Sequence, residues 1–293
     1  MALDSAAQAV AVAERLGNRP TLAEALLCHG EALRDLYRFD EAADALTRAV
    51  ELYAELGDQG QEIQARTALG TLYIQFWRTE EAVAVLEPAV ALLPAEEALR
   101  HVWALGGLST AYRLAGRRNE AIALNERALR IARRGEGDSF ALGYQLAGRA
   151  WLAHEDGRPD TAIADMREML AVFERMRHAT GIGLALEGIA EIATAAGRYD
   201  NAIEASEAAA ARFDRAGDRV RAGRSRLHQA VALADAGRTE AARAAWRTAD
   251  ALIGDAEPPE VPRLRDRLRE LLGQQPPPGP AATPDSVPRR HGQ

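Results

Sequence analysis

One six-residue phrase recurs six times along this chain, and the interval between copies constrains what the chain can fold into. It reads YRFDEA at 37–42, WRTEEA at 77–82, GRRNEA at 116–121, GRPDTA at 157–162, GRYDNA at 197–202 and GRTEAA at 237–242. The starts are separated by 40, 39, 41, 40 and 40 residues. A constant period of this size marks a stacked repeat, in which each unit buries its apolar face only against its neighbours.

Each phrase has a mechanical reading. Gly116, Gly157, Gly197 and Gly237 follow helical runs, and glycine takes the positive φ of a helix C-terminus without steric cost. Thr79, Asp160, Asp200 and Thr239 are expected to cap the next helix with a side-chain oxygen. Ala42, Ala82, Ala121, Ala162, Ala202 and Ala242 fall in the following first turn, where a small side chain lets two helices approach closely. The phrase therefore predicts a tight turn between packed antiparallel helices. The segments between phrases carry the matching period. Ala42, Leu46, Ala49, Val50 and Tyr53, and likewise Ile182, Leu186, Ile189, Ala190 and Ala193, recur at three- and four-residue steps. A second punctuation, Gly17-Asn18, Gly57-Asp58 and Gly217-Asp218, closes one helix and opens the next. Signals for strands are absent.

These residues resemble the tetratricopeptide repeat. Leu69, Gly70 and Tyr73 match its first helix, and Ala82, Ala89 and Pro94 its second. Leu108, Tyr112, Ala121 and Ala128 match in the next unit, Gly30, Ala42 and Ala49 in the first, and Gly197, Tyr199, Ala202 and Ala209 in the fifth. The period departs from the family's usual length of about 34. In this the chain is similar to the long-period arrays of bacterial transcriptional activators, signalling ATPases and kinesin light chain. The resemblance implies an all-α, right-handed α-solenoid over 1–273, with one truncated and six full hairpins.

The two ends differ from the middle. Residues 2–16 align with 42–56 at a shift of 40, so the chain begins in the second helix of a repeat. A misassigned start, a piece of a longer protein and a lone capping helix all account for this. The exposed side of that helix is a candidate surface for a partner or a second copy. Residues 260–272 predict a capping helix with Val261, Leu264, Leu268 and Leu271 on one face and its arginines toward solvent. Residues 274–293 are proline-rich and predict a disordered tail.

Little catalytic chemistry is legible. All 36 basic residues are arginine, which excludes a lysine-dependent phosphate loop. The six histidines are scattered, so no metal site and no cofactor are expected. Cys28, the one cysteine, rules out a disulfide framework and predicts a buried, inert thiol. A net charge of −7 argues against nucleic acid. The absence of a long apolar run or secretory leader argues against a membrane and predicts a cytoplasmic protein.

What remains is a non-enzymatic, protein- or peptide-binding scaffold. The resemblance implies a concave groove lined by the first helix of each repeat. Carried onto this sequence, its positions include Gln64, Thr67, Thr71 and Gln75, then Trp103, Thr110 and Arg113, then Tyr144, Trp151 and His154, then Glu187 and Glu191. Aromatic residues beside arginine are the types enriched in binding hot spots. Trp103 and Trp151 read as groove residues, with core as the alternative, whereas Trp77 and Trp246 read as packing residues. Two other functions stay open: the sensor end of a transcriptional activator or signalling ATPase, and a small-molecule binder or enzyme at the Trp103–Trp151 region.

Overall fold

The computed structural model describes residues 2–94, 98–134, 139–254 and 258–273. Among them the chain forms fourteen α-helices and one short 3-10 turn, and no strand. A lone helix α1 (Ala2–Leu16) precedes six hairpins. These are α2 (Arg19–Asp35) with α3 (Phe39–Leu56), α4 (Gln59–Gln75) with α5 (Thr79–Ala91), and α6 (Val102–Leu114) with α7 (Arg118–Arg134). There follow α8 (Phe140–Glu155) with α9 (Pro159–Arg175), α10 (Ala179–Ala195) with α11 (Tyr199–Arg215), and α12 (Arg219–Asp235) with α13 (Thr239–Ile253). Helix α14 (Glu260–Leu272) closes the array. The tail at 274–293 lies outside the described residues.

The hairpins close as the phrase predicts. All six alanines of the phrase are fully buried. In the first two hairpins the close approach also needs glycine. A Cβ on Gly30 or Gly70 would fall within 2.5 Å of the side chain of Leu46 or Leu86 on the partner helix. Neighbouring repeats meet through their first helices: α4 packs on α6, α6 on α8 and α10 on α12. Each second helix packs between the first helix of its own repeat and that of the next. The first helices therefore crowd along one side of the solenoid and the second helices spread along the other.

The turn chemistry departs from expectation at one point. The N-caps of α5, α9, α11 and α13 are Arg78, Arg158, Arg198 and Arg238, none with a side-chain capping bond. Thr79, Asp160, Asp200 and Thr239 sit inside the helix instead. The aspartates there complement the helix dipole and bind the arginine of the following turn. Arg198 reaches Asp160 at 2.6 Å and Arg238 reaches Asp200 at 2.5 Å, so the motif staples repeats together rather than capping one helix. The second punctuation behaves as expected. Asn18, Asp58 and Asp218 each accept the backbone N–H three residues on, at 3.0–3.2 Å.

Helix α14 covers the last hairpin with Val261, Leu268 and Leu272 buried, and with Leu264 and Leu271 packed beside them. Its arginines do not simply face solvent. Arg265 binds Asp250 of α13, Arg267 binds Asp235 of α12, and the Arg263 guanidinium lies over the Trp77 ring, 4.1 Å from its centroid. At the other end α1 leaves Val12 and Leu16 exposed. Cys28 is exposed, not buried. The apolar neighbours Leu26 and Leu27, both core, conceal this placement in the sequence. No helix among the described residues is long and apolar enough to cross a membrane.

Candidate functional site

The crowding of first helices leaves a cavity of about 1150 Å³ on the inner side. That exceeds the roughly 300–1,000 Å³ of ordinary small-molecule pockets. Nine of the twelve expected groove residues line it: Gln64, Thr67, Thr71 and Gln75 from α4, Trp103, Thr110 and Arg113 from α6, and Tyr144 and Trp151 from α8. His154, Glu187 and Glu191 lie outside this lining. His154 meets the edge of Trp151, with ring centroids 5.9 Å apart. Glu191 is exposed. Glu187 is buried because α10 and α12 pack closely. Its carboxylate accepts from Arg224 at 2.5 Å and from the Ser225 hydroxyl at 2.6 Å.

The aromatic wall is graded from surface to core. Trp103 is 42% exposed and sits 5.4 Å from Tyr144, ring to ring. Tyr144 in turn meets the buried Phe173 edge-on at 5.7 Å. Trp151 is half-buried against the core of the central repeats. Trp103 is thus a surface residue, and Trp151 serves both cavity and core. Trp246 is fully packed, as its position predicts.

The polar wall divides by what is already engaged. Thr67, Thr71 and Thr110 donate their hydroxyls to carbonyls one turn back, at 2.7–3.0 Å, so they offer a ligand only acceptor lone pairs. Gln64 and Gln75 make no hydrogen bond to the described residues and offer both donors and acceptors. Arg113 is held by Glu155 at 2.5 Å. Burial raises the Glu31 carboxyl above its usual range; Arg34 opposes the rise and Asp35 adds to it. Burial also raises the Tyr144 phenol, with Arg221 and Arg34 opposing. Burial, then Arg100 and Arg127, lowers His101, whose Nδ1 accepts the Ala98 N–H at 3.2 Å. No group of three potential metal ligands occurs among the described residues.

The family model for the tetratricopeptide repeat matches residues 102–140, which span α6 and α7. That stretch carries one tetratricopeptide repeat. The chain repeats the same helical-hairpin build six times. No curated protein matches it in sequence. Solved structures share the fold of the array. One is BtubC from P. vanneervenii, at 16% identity and a TM-score of 0.55, covering 84% of this chain and 96% of that one. Another is a Rap protein complexed with Competence and Sporulation Factor, at 16% identity and a TM-score of 0.65, covering 89% and 80%. A third is a signal-transduction ATPase with a tetratricopeptide repeat sensor from Pyrococcus horikoshii, at 16% and 0.54. It covers 86% of this chain and 44% of that one. A protein-interaction role is the one this repeat fold supports.

Sequence reasoning missed part of the lining. Leu92, Pro94, Arg100 and His101 enter at the facing ends of α5 and α6, each shorter than the other hairpin helices. The intervals of 39 and 41 residues on either side of 116 depart from 40 in the same region. Arg221 enters from α12, one helical turn before Arg224. Arg224 is unavailable because Glu187 holds it in the packed layer.

Proposed function

We propose that this array is a non-enzymatic scaffold that holds an extended peptide segment of a partner in the inner cavity. One observation carries the reading. Trp103, Tyr144 and Trp151 line a cavity too large for most metabolites, together with the uncommitted amides of Gln64 and Gln75. Aromatic side chains supply rigid contact area, and free amides suit an extended backbone, which presents N–H and C=O groups in alternation. Arg34, Arg113 and Arg221 are paired with Asp35, Glu155 and Asp218, but with Arg100 they outnumber Glu31 and Asp35 in the lining, and that balance favours a segment with acidic side chains or a terminal carboxylate.

A peptide library graded in charge, titrated against the intrinsic tryptophan fluorescence, tests this. Acidic extended peptides should bind, and Trp151→Ala should weaken them by about 30-fold, the equivalent of 2 kcal/mol on the hot-spot scale. Binding by no peptide, or equal binding by the variant, would overturn the reading. The sensor of a larger signalling protein is the second reading, motivated by the likeness to the P. horikoshii ATPase. An in-frame nucleotide-binding segment in the genomic DNA upstream of Met1 would establish it, and a stop codon there would remove it.

A further inference from the structure

Six turns join the first helix of a repeat to the second, and their left-handed residue is not the same throughout. Four use glycine, at 116, 157, 197 and 237, with φ of 67–75°. The first two use Tyr37 and Trp77, each at φ 60°. For a residue with a bulky side chain this conformation is an outlier, costing about 1–2 kcal/mol. The turn itself does not require the aromatic ring. Tyr37 and Trp77 donate their N–H groups three residues back at 3.0 and 3.1 Å, as Gly116 does at 3.1 Å.

Both rings face charged groups from the far end of the chain. Arg263 of α14 lies over the Trp77 ring at 4.1 Å, a distance at which a guanidinium is attracted to an indole face. Tyr37 is half-buried, and its phenol feels the charges of Arg224, Arg221, Glu260 and Asp218 from the last repeat and α14. Those groups are tied to one another: Glu187 holds Arg224 at 2.5 Å, and Glu260 approaches it at 3.8 Å. The result shows in the cavity, where Arg221 lines the same space as Glu31, Arg34 and Asp35 of the first hairpin. The ends of the array therefore meet across the groove. The strained aromatics occupy two of the turns that face this meeting, and glycine occupies the four others.

We propose that Tyr37 and Trp77 form an intramolecular latch that holds the first two repeats against α12 and α14 and so controls access to the inner cavity. The latch deepens the binding reading, since it governs the same site, but it is tested without ligand. Failure of peptide binding would leave it standing, and its own failure would leave the cavity's chemistry untouched.

The decisive variant is Tyr37→Gly with Trp77→Gly. It installs the residue the other turns use, so each hairpin should fold at least as well. One spin label goes on the exposed Cys28 of α2, and a second on Arg269→Cys at the exposed face of α14. The parent should give one narrow distance distribution by pulsed electron resonance. The double-glycine variant should give a longer, broader one with unchanged helical circular dichroism. Arg263→Ala should shift the distribution in the same direction. An unchanged distribution in both variants would show that the stacked repeats alone set the end-to-end position, and would overturn the latch. Loss of helix in the glycine variant would also overturn it, because the rings would then belong to their own hairpins.

Discussion

Arg224 and Glu187 pair across neighbouring first helices at 2.5 Å, with only 14% and 8% of their side chains exposed. The two residues sit at equivalent faces of α10 and α12, where a looser solenoid would turn them toward the groove. Removing one partner leaves a buried charge without its counter-ion, which costs about 3–5 kcal/mol. Glu187→Ala and Arg224→Ala should each lower stability on that scale in urea melts. The double variant should lose clearly less than the sum of the two, since the penalty of the orphaned charge is then gone. Additive losses would show that the pair is not energetically coupled.

The same pair sets an acid limit. Burial pushes the Glu187 carboxyl upward. The charge and hydrogen bond of Arg224, helped by His228 and the Ser225 hydroxyl, outweigh it and hold the group below the usual glutamate range. A folded value below the unfolded one means the unfolded chain binds more protons between the two. The contribution is therefore complete above the ordinary glutamate pKa of about 4.3 and is lost as pH falls through the folded value. Stability measured from about pH 6 to about pH 3 should fall more steeply for the parent than for Glu187→Ala. Parallel curves would remove Glu187 from the acid response.

Tryptophan substitutions should separate core from cavity. Trp246 is 1% exposed, so Trp246→Ala should cost about 3–5 kcal/mol. Trp103 is 42% exposed and keeps mainly its ring contact with Tyr144, so Trp103→Ala should cost about 1 kcal/mol. Denaturant midpoints compare the two directly. Equal losses would place Trp103 in the fold's core energetics rather than on the cavity wall.

Two glycines on one helix should respond oppositely to alanine. At Gly70 the new Cβ would lie 2.4 Å from Leu86 Cγ, and overpacking of this kind costs about 1–3 kcal/mol. At Gly60 it would meet only Asp58 Oδ1 at 3.6 Å in an exposed first turn, and Gly60→Ala should gain about 0.4–1 kcal/mol. Thermal melts of the two variants check the sign. A gain at Gly70 would mean α4 and α5 are not held at the separation described.

Cys28 is exposed, yet its thiol is pushed above the ordinary range by burial and by the charges of Glu31 and Glu24. The thiolate is the reactive form. Native protein should be labelled completely by a maleimide, more slowly than a free thiol at the same pH, and Glu31→Gln should speed the reaction. A protected thiol would place Cys28 in the packed layer.

The architecture was readable because it repeats. Six copies of one phrase specify turns, helix lengths and stacking order, and the period departs from 40 only at 77–116 and 116–157, next to the two short helices α5 and α6. The candidate site was readable where a groove position stays a groove position, as at Gln64, Trp103 and Tyr144. It failed where neighbouring first helices approach closely enough to bury the same position, as at Glu187 and Arg224. Tyr37 and Trp77 stood in the sequence as departures from the glycine of the phrase. What they touch depends on how far the stack curves, and that is a sum of small rotations between repeats which no local pattern encodes. The capping expected of Asp160 and Asp200 failed in a similar way, because the arginine each one binds lies one repeat away.

The contact of Arg263 with Trp77 has a consequence for how such a protein can change over time. Linear arrays gain and lose units freely, since each addition meets only its nearest neighbours. Here the number of hairpins between residues 77 and 263 is part of the contact itself. Duplicating or deleting one of them would carry the last helix out of register with the indole ring. The copy number of this array is therefore a specification, on the same footing as any side chain.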